Sequence, residues 1–194
     1  MKLHYLAAAL ALALISPGAH AIPTVGFQPD PAAVLVGDTF ELLLAGTDFD
    51  FTADGQTIDN VTGGQRFNLQ FDSALLQILD VNIDPRWTFT RGNNIGAPDN
   101  TVGTLTSLAF ATTPPTTDDS FNIASITFRA LQAGQGQVTF TGGEFIARVN
   151  NVSGTRILPS FDSATIRVSA VPEPQQWIML LAGLGLVGWR IRKL

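Results

Sequence analysis

The sequence predicts an all-β body, a sandwich of about nine strands, held between two targeting segments. Short apolar and β-branched runs in the body are cut by Gly, Pro, Asn and Asp. Beyond a turn near residues 73–76, no stretch of it sustains the 3.6-residue apolar period of a helix. Both ends of the chain, by contrast, are apolar segments with charged flanks. Three parts follow: residues 1–21, a body at 22–170, and a tail at 171–194.

The N-terminal part reads as a secretory signal peptide. Lys2 supplies a positive start, residues 6–15 are continuously apolar, and Pro17-Gly18 breaks the run before Ala19-His20-Ala21. Small residues at Ala19 and Ala21 form an A-x-A cleavage site, with the cut expected after Ala21. The apolar core of this segment is too short to span a bilayer.

In the body, residues 34–36 lead through Gly37-Asp38 into a strand at 39–44. Residues 67–71 alternate, placing Phe67, Leu69 and Phe71 on one face. A strand at 75–83 follows the turn Asp72-Ser73-Ala74, and 87–90 is a short strand or edge segment. Further strands are expected at 104–111, 121–130, 137–141, 144–149 and 164–168. Gly134-Gln135-Gly136 and Gly142-Gly143 have tight-turn chemistry, and the polar stretch 112–119 reads as a loop. Eight to ten strands with two buried faces make a β-sandwich.

The tail opens with Val171-Pro172-Glu173-Pro174 and continues as an apolar run bounded by Trp177 and Trp189. That run is about 20 Å long as a helix; extended over residues 175–194 it reaches about 30 Å, the thickness of a hydrocarbon core. Arg190, Arg192 and Lys193 close it as a membrane stop, kept on the cytoplasmic side. The bracketing tryptophans suit the two interfaces, and Arg190 can snorkel. One C-terminal membrane helix is therefore expected.

Composition narrows the chemistry. The body has fifteen acidic residues, seven arginines and no lysine, a net charge of −8. Without a basic stripe, such a body is not a nucleic-acid binder. Cysteine is absent from the chain, so stability must come from a packed core. The two histidines, His4 and His20, both fall in the signal peptide. A Ser-His-Asp triad, a histidine zinc site and histidine acid–base catalysis are excluded from the body.

The order Pro-Glu-Pro, apolar helix and basic end resembles the PEP-CTERM sorting signal of Gram-negative bacteria. The resemblance implies delivery to an exosortase in the inner membrane, cleavage near the motif, and release to the cell surface or exopolysaccharide matrix. Residues 35–42 (LVGDTFEL) resemble the xVGDxFxVxV opening of cohesin-like domains. Residues 67–78 (FNLQFDSALLQI) resemble their FxLxFDPxLLxL block, with Ser73 where Pro is usual. Residues 123–134 (IASITFRALQAG) resemble IAxLxFxAxxAG. An insert at 46–64 separates the first two blocks. This second resemblance implies a nine-stranded, jelly-roll-like sandwich related to carbohydrate-binding modules, whose best-studied members bind dockerin modules through one sheet face.

Two local clusters are candidate sites. Asp48, Asp50 and Asp54, with Asp59 beyond, gather carboxylates such as calcium takes. The spacing fails the EF-hand rule, since Thr52 stands fifth, Ala53 replaces the sixth-position Gly and no Glu stands twelfth. A solvated acidic loop is the preferred expectation, and no cofactor is required. Trp87, near Arg86, Phe89 and Arg91, is either a sugar-stacking platform or a packed aromatic, with packing preferred. Asn60 and Asn151 begin N-x-S/T sequons of the kind frequent in a chain rich in Asn, Ser and Thr. Together these features predict a non-enzymatic surface or matrix-binding module, exported and held briefly in the inner membrane. Its partner would be a surface protein or a polysaccharide. Direct carbohydrate recognition is the alternative, and a carboxylate-dependent glycan hydrolase the more distant one.

Overall fold

A computed structural model of the chain describes residues 22–30, 32–49, 52–53, 56–89, 93–171, 181–182 and 184. Ala19, Ala21, Pro172, Glu173, Pro174, Arg190, Arg192 and Lys193 lie outside the described residues, as do Asp50 and Asp54. Leu181, Ala182 and Leu184 have helical backbone. No helix among the described residues is long and apolar enough to cross a membrane.

Alternating and continuous apolar runs form thirteen strands among the described residues. They are β1 (Thr24–Gln28), β2 (Ala32–Leu35), β3 (Thr39–Thr47), β4 (Thr52–Ala53), β5 (Gln56–Gln70), β6 (Leu76–Ile83) and β7 (Ala97–Asp99). Then come β8 (Thr104–Thr116), β9 (Phe121–Ala130), β10 (Gly134–Val149), β11 (Val152–Ile157), β12 (Ser160–Phe161) and β13 (Ala164–Ser169). Nine have five or more residues, the number expected; the other four are two to four residues long. One sheet has the order β12-β1-β3-β9-β6. The other has the order β2-β13-β10-β5-β8-β7, with β11 added to β10 and β4 to β5. Most neighbours are antiparallel, but β1–β12 and β2–β13 are parallel pairs.

Several expected turns prove to be strand. Gly134-Gln135-Gly136 opens β10, and Gly142-Gly143 lies inside it, where the register with β5 shifts twice. Gly143 is required by packing: a Cβ there would come within 2.5 Å of the Phe67 ring. The polar stretch 112–119 is no loop at its start, because β8 runs through Pro114-Pro115 to Thr116. Proline is tolerated because Pro114-Pro115 fall where the β5–β8 register shifts, between the pairs Val61–Thr116 and Gly63–Ala111. The insert at 46–64 completes β3, forms the β4–β5 hairpin and begins β5. Residues 87–89, expected as a strand or edge, carry no strand. Strands β1 and β11 were not foreseen.

Between the sheets, Phe67, Phe110, Phe128 and Phe145 are fully buried with Leu42, Leu44, Leu105, Ile123 and Ile126. Phe145 is the centre of an aromatic cluster. Its ring lies 4.6 Å from Phe49, 5.2 Å from Phe67, 5.8 Å from Phe110 and 5.9 Å from Phe121, all near edge-on. Such geometry sets the positive ring edge against a negative face. Every strand and every buried apolar side chain among the described residues falls within 22–170. That segment therefore contains the whole hydrophobic core seen among the described residues.

The edge strand β6 is protected by a side chain. Asn100 accepts the Ile78 N–H at 2.7 Å and donates to the Ile78 carbonyl at 2.9 Å, occupying the place of a neighbouring strand.

Truncating Phe145 to Ala should cost about 3–5 kcal/mol, because four aromatic neighbours lose their common contact. Urea unfolding of residues 22–170 measures this; a loss below about 1 kcal/mol would show that the cluster does not join the sheets.

Candidate functional site

Strand direction gives the body two poles. β13 ends at Ser169 beside Leu35, and the Ser169 carbonyl accepts the Val36 N–H at 2.9 Å. Ala170 and Val171, which follow, are exposed. β1 starts at the other pole, where Thr24 pairs with Thr47. Phe49, the β4–β5 hairpin, Asp118 and the β10–β11 tip also lie there, the tip through its pairing of Val149 with Ile58.

That distal pole has a cleft of about 320 Å³ lined by Phe49, Asp59, Asn60, Thr116 and Asp118 among others. Its carboxylates are engaged. The Asn151 N–H donates to Asp59 Oδ2 at 2.6 Å, and Arg148 Nε lies 3.9 Å from the same oxygen. Asp118 Oδ2 accepts from Arg86 Nη1 at 2.9 Å. Asp48 stands nearby in the left-handed region (φ 61°) and accepts from Thr47 Oγ1 at 3.4 Å. Of the three candidate calcium ligands only Asp48 is described. No three His, Cys, Asp or Glu side chains among the described residues are placed to share a metal.

Trp87 is in the interior. It is 2% exposed, its rings pack 4.6 Å from Phe110 and 5.3 Å from Phe121, and Nε1 donates to the Asn122 carbonyl at 2.9 Å. The segment after β6 forms no strand but is tied to β8 by the Phe89 N–H, which donates to the Ala111 carbonyl at 3.0 Å, and the indole fills the space beneath it. No face of it is free to stack on a sugar. Of the two alternatives for Trp87, the indole is packed rather than presented; Phe89, 48% exposed, is the accessible ring. Arg86 is committed to Asp84 and Asp118, and Arg91 is outside the described residues.

A second site, not foreseen, lies on the outer face of the larger sheet. Glu144 is the one buried charged residue among those described. Its Oε1 accepts from Gln65 Nε2 at 2.7 Å and lies 3.4 Å from Arg156 Nη1 and 3.6 Å from Arg66 Nη1. Three strands supply the group: β5, β10 and β11. Arg66 has φ 59° and sits where the β5–β8 register shifts between Gly64 and Phe67. That bulge sets Gln65 and Arg66 side by side on the outer face. A cleft of about 240 Å³ adjoins it, lined by Arg66, Asn68, Gly142, Gly143, Glu144 and Leu158. No local motif announces this group. Only the pairing of Glu144 with Gln65 and of Ile146 with Arg156 assembles it. The sole sequence signal is a glutamate beside Phe145 in a body with only two glutamates.

Comparison with known proteins addresses both the tail and the body. Residues 170–193 match the PEP-CTERM protein-sorting motif, beginning one residue after β13. The chain carries a PEP-CTERM sorting motif on a cohesin fold. The fold is seen in the solved structures. A type I cohesin of Clostridium thermocellum, in complex with a dockerin, has a TM-score of 0.60 at 14% identity, over 77% of this chain and 95% of that one. The seventh ScaB type I cohesin of Pseudobacteroides cellulosolvens gives 0.60 at 16% identity, over 79% and 96%. A non-cellulosomal cohesin of the archaeon Archaeoglobus fulgidus gives 0.56 at 14%, over 82% and 98%. At these identities the likeness concerns the fold. No curated protein matches the chain in sequence. The PEP-CTERM motif implies export, processing by an exosortase at the membrane, and passage to the cell surface.

Trp87→Phe should cost about 1–2 kcal/mol through loss of its buried hydrogen bond. It should leave any glycan retention of the cohesin-fold body unchanged. Weaker retention with an unchanged melting temperature in affinity electrophoresis would restore the platform. Millimolar calcium should likewise leave the melting temperature of residues 22–170 within about 1 °C, since a ligand bound only by the native state raises it.

Proposed function

We propose that the protein is an exported, non-enzymatic binding or adhesion module of the cell surface or exopolysaccharide matrix. The observation that carries this is the junction at Ser169: a complete cohesin-fold body ends there and the sorting motif begins at the next residue. Delivery and cargo are thus directly joined. The cohesin in complex with dockerin among the similar structures supports a role in recognition. A body without histidine, cysteine or lysine has nothing beyond carboxylates, hydroxyls and guanidiniums with which to do chemistry. The N-terminal part is a signal peptide removed after Ala21, and residues 175–194 hold the protein in the inner membrane until an exosortase cuts near Pro172-Glu173-Pro174.

A second reading, direct carbohydrate recognition, is favoured by the cleft that Arg66, Asn68 and Glu144 line together with Leu158.

Mature protein recovered from the cell surface should begin at Ile22 and end near residues 172–174 by intact-mass measurement. Replacing Pro172, Glu173 and Pro174 together by alanine should keep the uncut chain in the membrane fraction. Surface protein that still ends at Leu194 would show a permanent anchor instead. Capture of surface or matrix components by residues 22–170 from matrix extract tests the module itself; retention of none would remove the proposal.

A further inference from the structure

We infer that Arg66 and Arg156, clamped by Glu144 on the outer face of the larger sheet, form a subsite for the carboxylate of an acidic polysaccharide. The inference rests on the proposed binding function and names its ligand class.

Charge comes first. The body is strongly acidic, yet Arg66, Arg148 and Arg156 gather around two carboxylates, Glu144 and Asp59, leaving a local excess of one positive charge. Arg148 is spent on Asp59 and on Asn151, whose Oδ1 accepts from Nη2 at 3.1 Å. Arg66 and Arg156 differ. Each turns Nη1 to the same oxygen of Glu144, and neither has a second acidic partner among the described residues. Their side chains remain 70% and 58% exposed. Two guanidiniums share one carboxylate, so donor capacity is left over on the outward side. A guanidinium presents five N–H groups in a fixed fork suited to a carboxylate. Glu144, itself held by Gln65, draws both guanidiniums to one place as ion-pair partners at 3.4 and 3.6 Å, which lowers the ordering cost of binding an anion.

The surroundings suit a sugar ring. The Asn68 Oδ1 accepts the Ser107 N–H at 2.8 Å, and its Nδ2 lies 3.8 Å from where a Cβ on Gly142 would stand. That amide is directed over the cleft floor and can donate to a hydroxyl or a carboxylate. The floor at Gly142 has no side chain to bar a flat ligand, and Leu158, 73% exposed, offers an apolar rim to sugar C–H groups. The backbone of Arg66 is held at positive φ, a conformation that costs energy for a residue with a Cβ and orients this side chain. An extended acidic peptide is a poorer match. A peptide that adds to this sheet would pair along the outer edge of β11, two strands away from Arg66 on β5, and could not engage both arginines through the backbone ladder.

The test uses residues 22–170, which contain the whole core and exclude the basic tail that would itself bind polyanions. Affinity electrophoresis is run in gels holding polygalacturonate, neutral dextran or poly-glutamate, near 150 mM salt. Retention by polygalacturonate and none by dextran is expected. Arg66→Gln and Arg156→Gln should each weaken retention about fivefold, and the pair should abolish it. The charge-matched pair Arg129→Gln and Arg167→Gln, from other parts of the surface, should leave it unchanged. Equal loss in both pairs would reduce the effect to net charge and overturn the subsite. Stronger retention by poly-glutamate would overturn it in favour of an acidic peptide. Retention unaffected by the Arg66 and Arg156 changes would also overturn it. Melting curves accompany each variant, and Arg156→Gln, on the added strand β11, remains decisive if Arg66→Gln fails to fold. If the double variant still captured the same components from matrix extract, the subsite would fail while the module stood.

Discussion

The edge-on contacts of Phe145 hold this body together. The ring belongs to β10, in the larger sheet, and meets Phe121 of β9 in the smaller one. Around it, Phe67 and Phe110 bring in β5 and β8, and Phe49 brings in the segment after β3. With no disulfide to constrain the unfolded chain, burial of these rings must offset most of the conformational entropy of the strands. Trp87 extends the cluster toward the open side, which is why an indole that reads as a surface candidate is drawn inward. Gly143 has the same origin: β10 approaches Phe67 too closely there for a side chain.

The same packing decides how much could be foreseen from sequence. Residues 121–130 were legible as a strand because Phe121, Ile123, Ile126 and Phe128 are buried without a Gly or Pro to interrupt them. Gly142-Gly143 misled because glycine marks either a turn or a close approach, and only the partner ring distinguishes the two. Pro114-Pro115 misled because proline's missing donor matters only on a paired side. The sorting motif was legible, since its order of proline, apolar run and cations is contiguous. The Glu144 group was not, because its four side chains come from three strands and meet only when the sheet forms.

Burial of a carboxylate at Glu144 is tolerable because it is surrounded by donors. An unpaired charge at that depth would be costly, whereas here the two arginines and Gln65 replace water. The larger sheet thus has its hydrophobic layer on one face and, directly behind Phe145, a fixed charge pair on the other. Rigidity made by the aromatic cluster passes through a single peptide unit to the outer face. A surface anchored in this way keeps its geometry without metal or cross-link.

The parallel pairing of β13 with β2 has a mechanical consequence. In the proposed membrane-held form, a pull on the body would be transmitted through Ser169 along the axis of β13. Five residue pairs with β10 and four with β2 then carry the load side by side, in shear. A terminal strand loaded from a hairpin end would instead lose its bonds one at a time, as a zipper opens. A tether at the far end of a strand paired on both flanks would let a body held in this way bear tension.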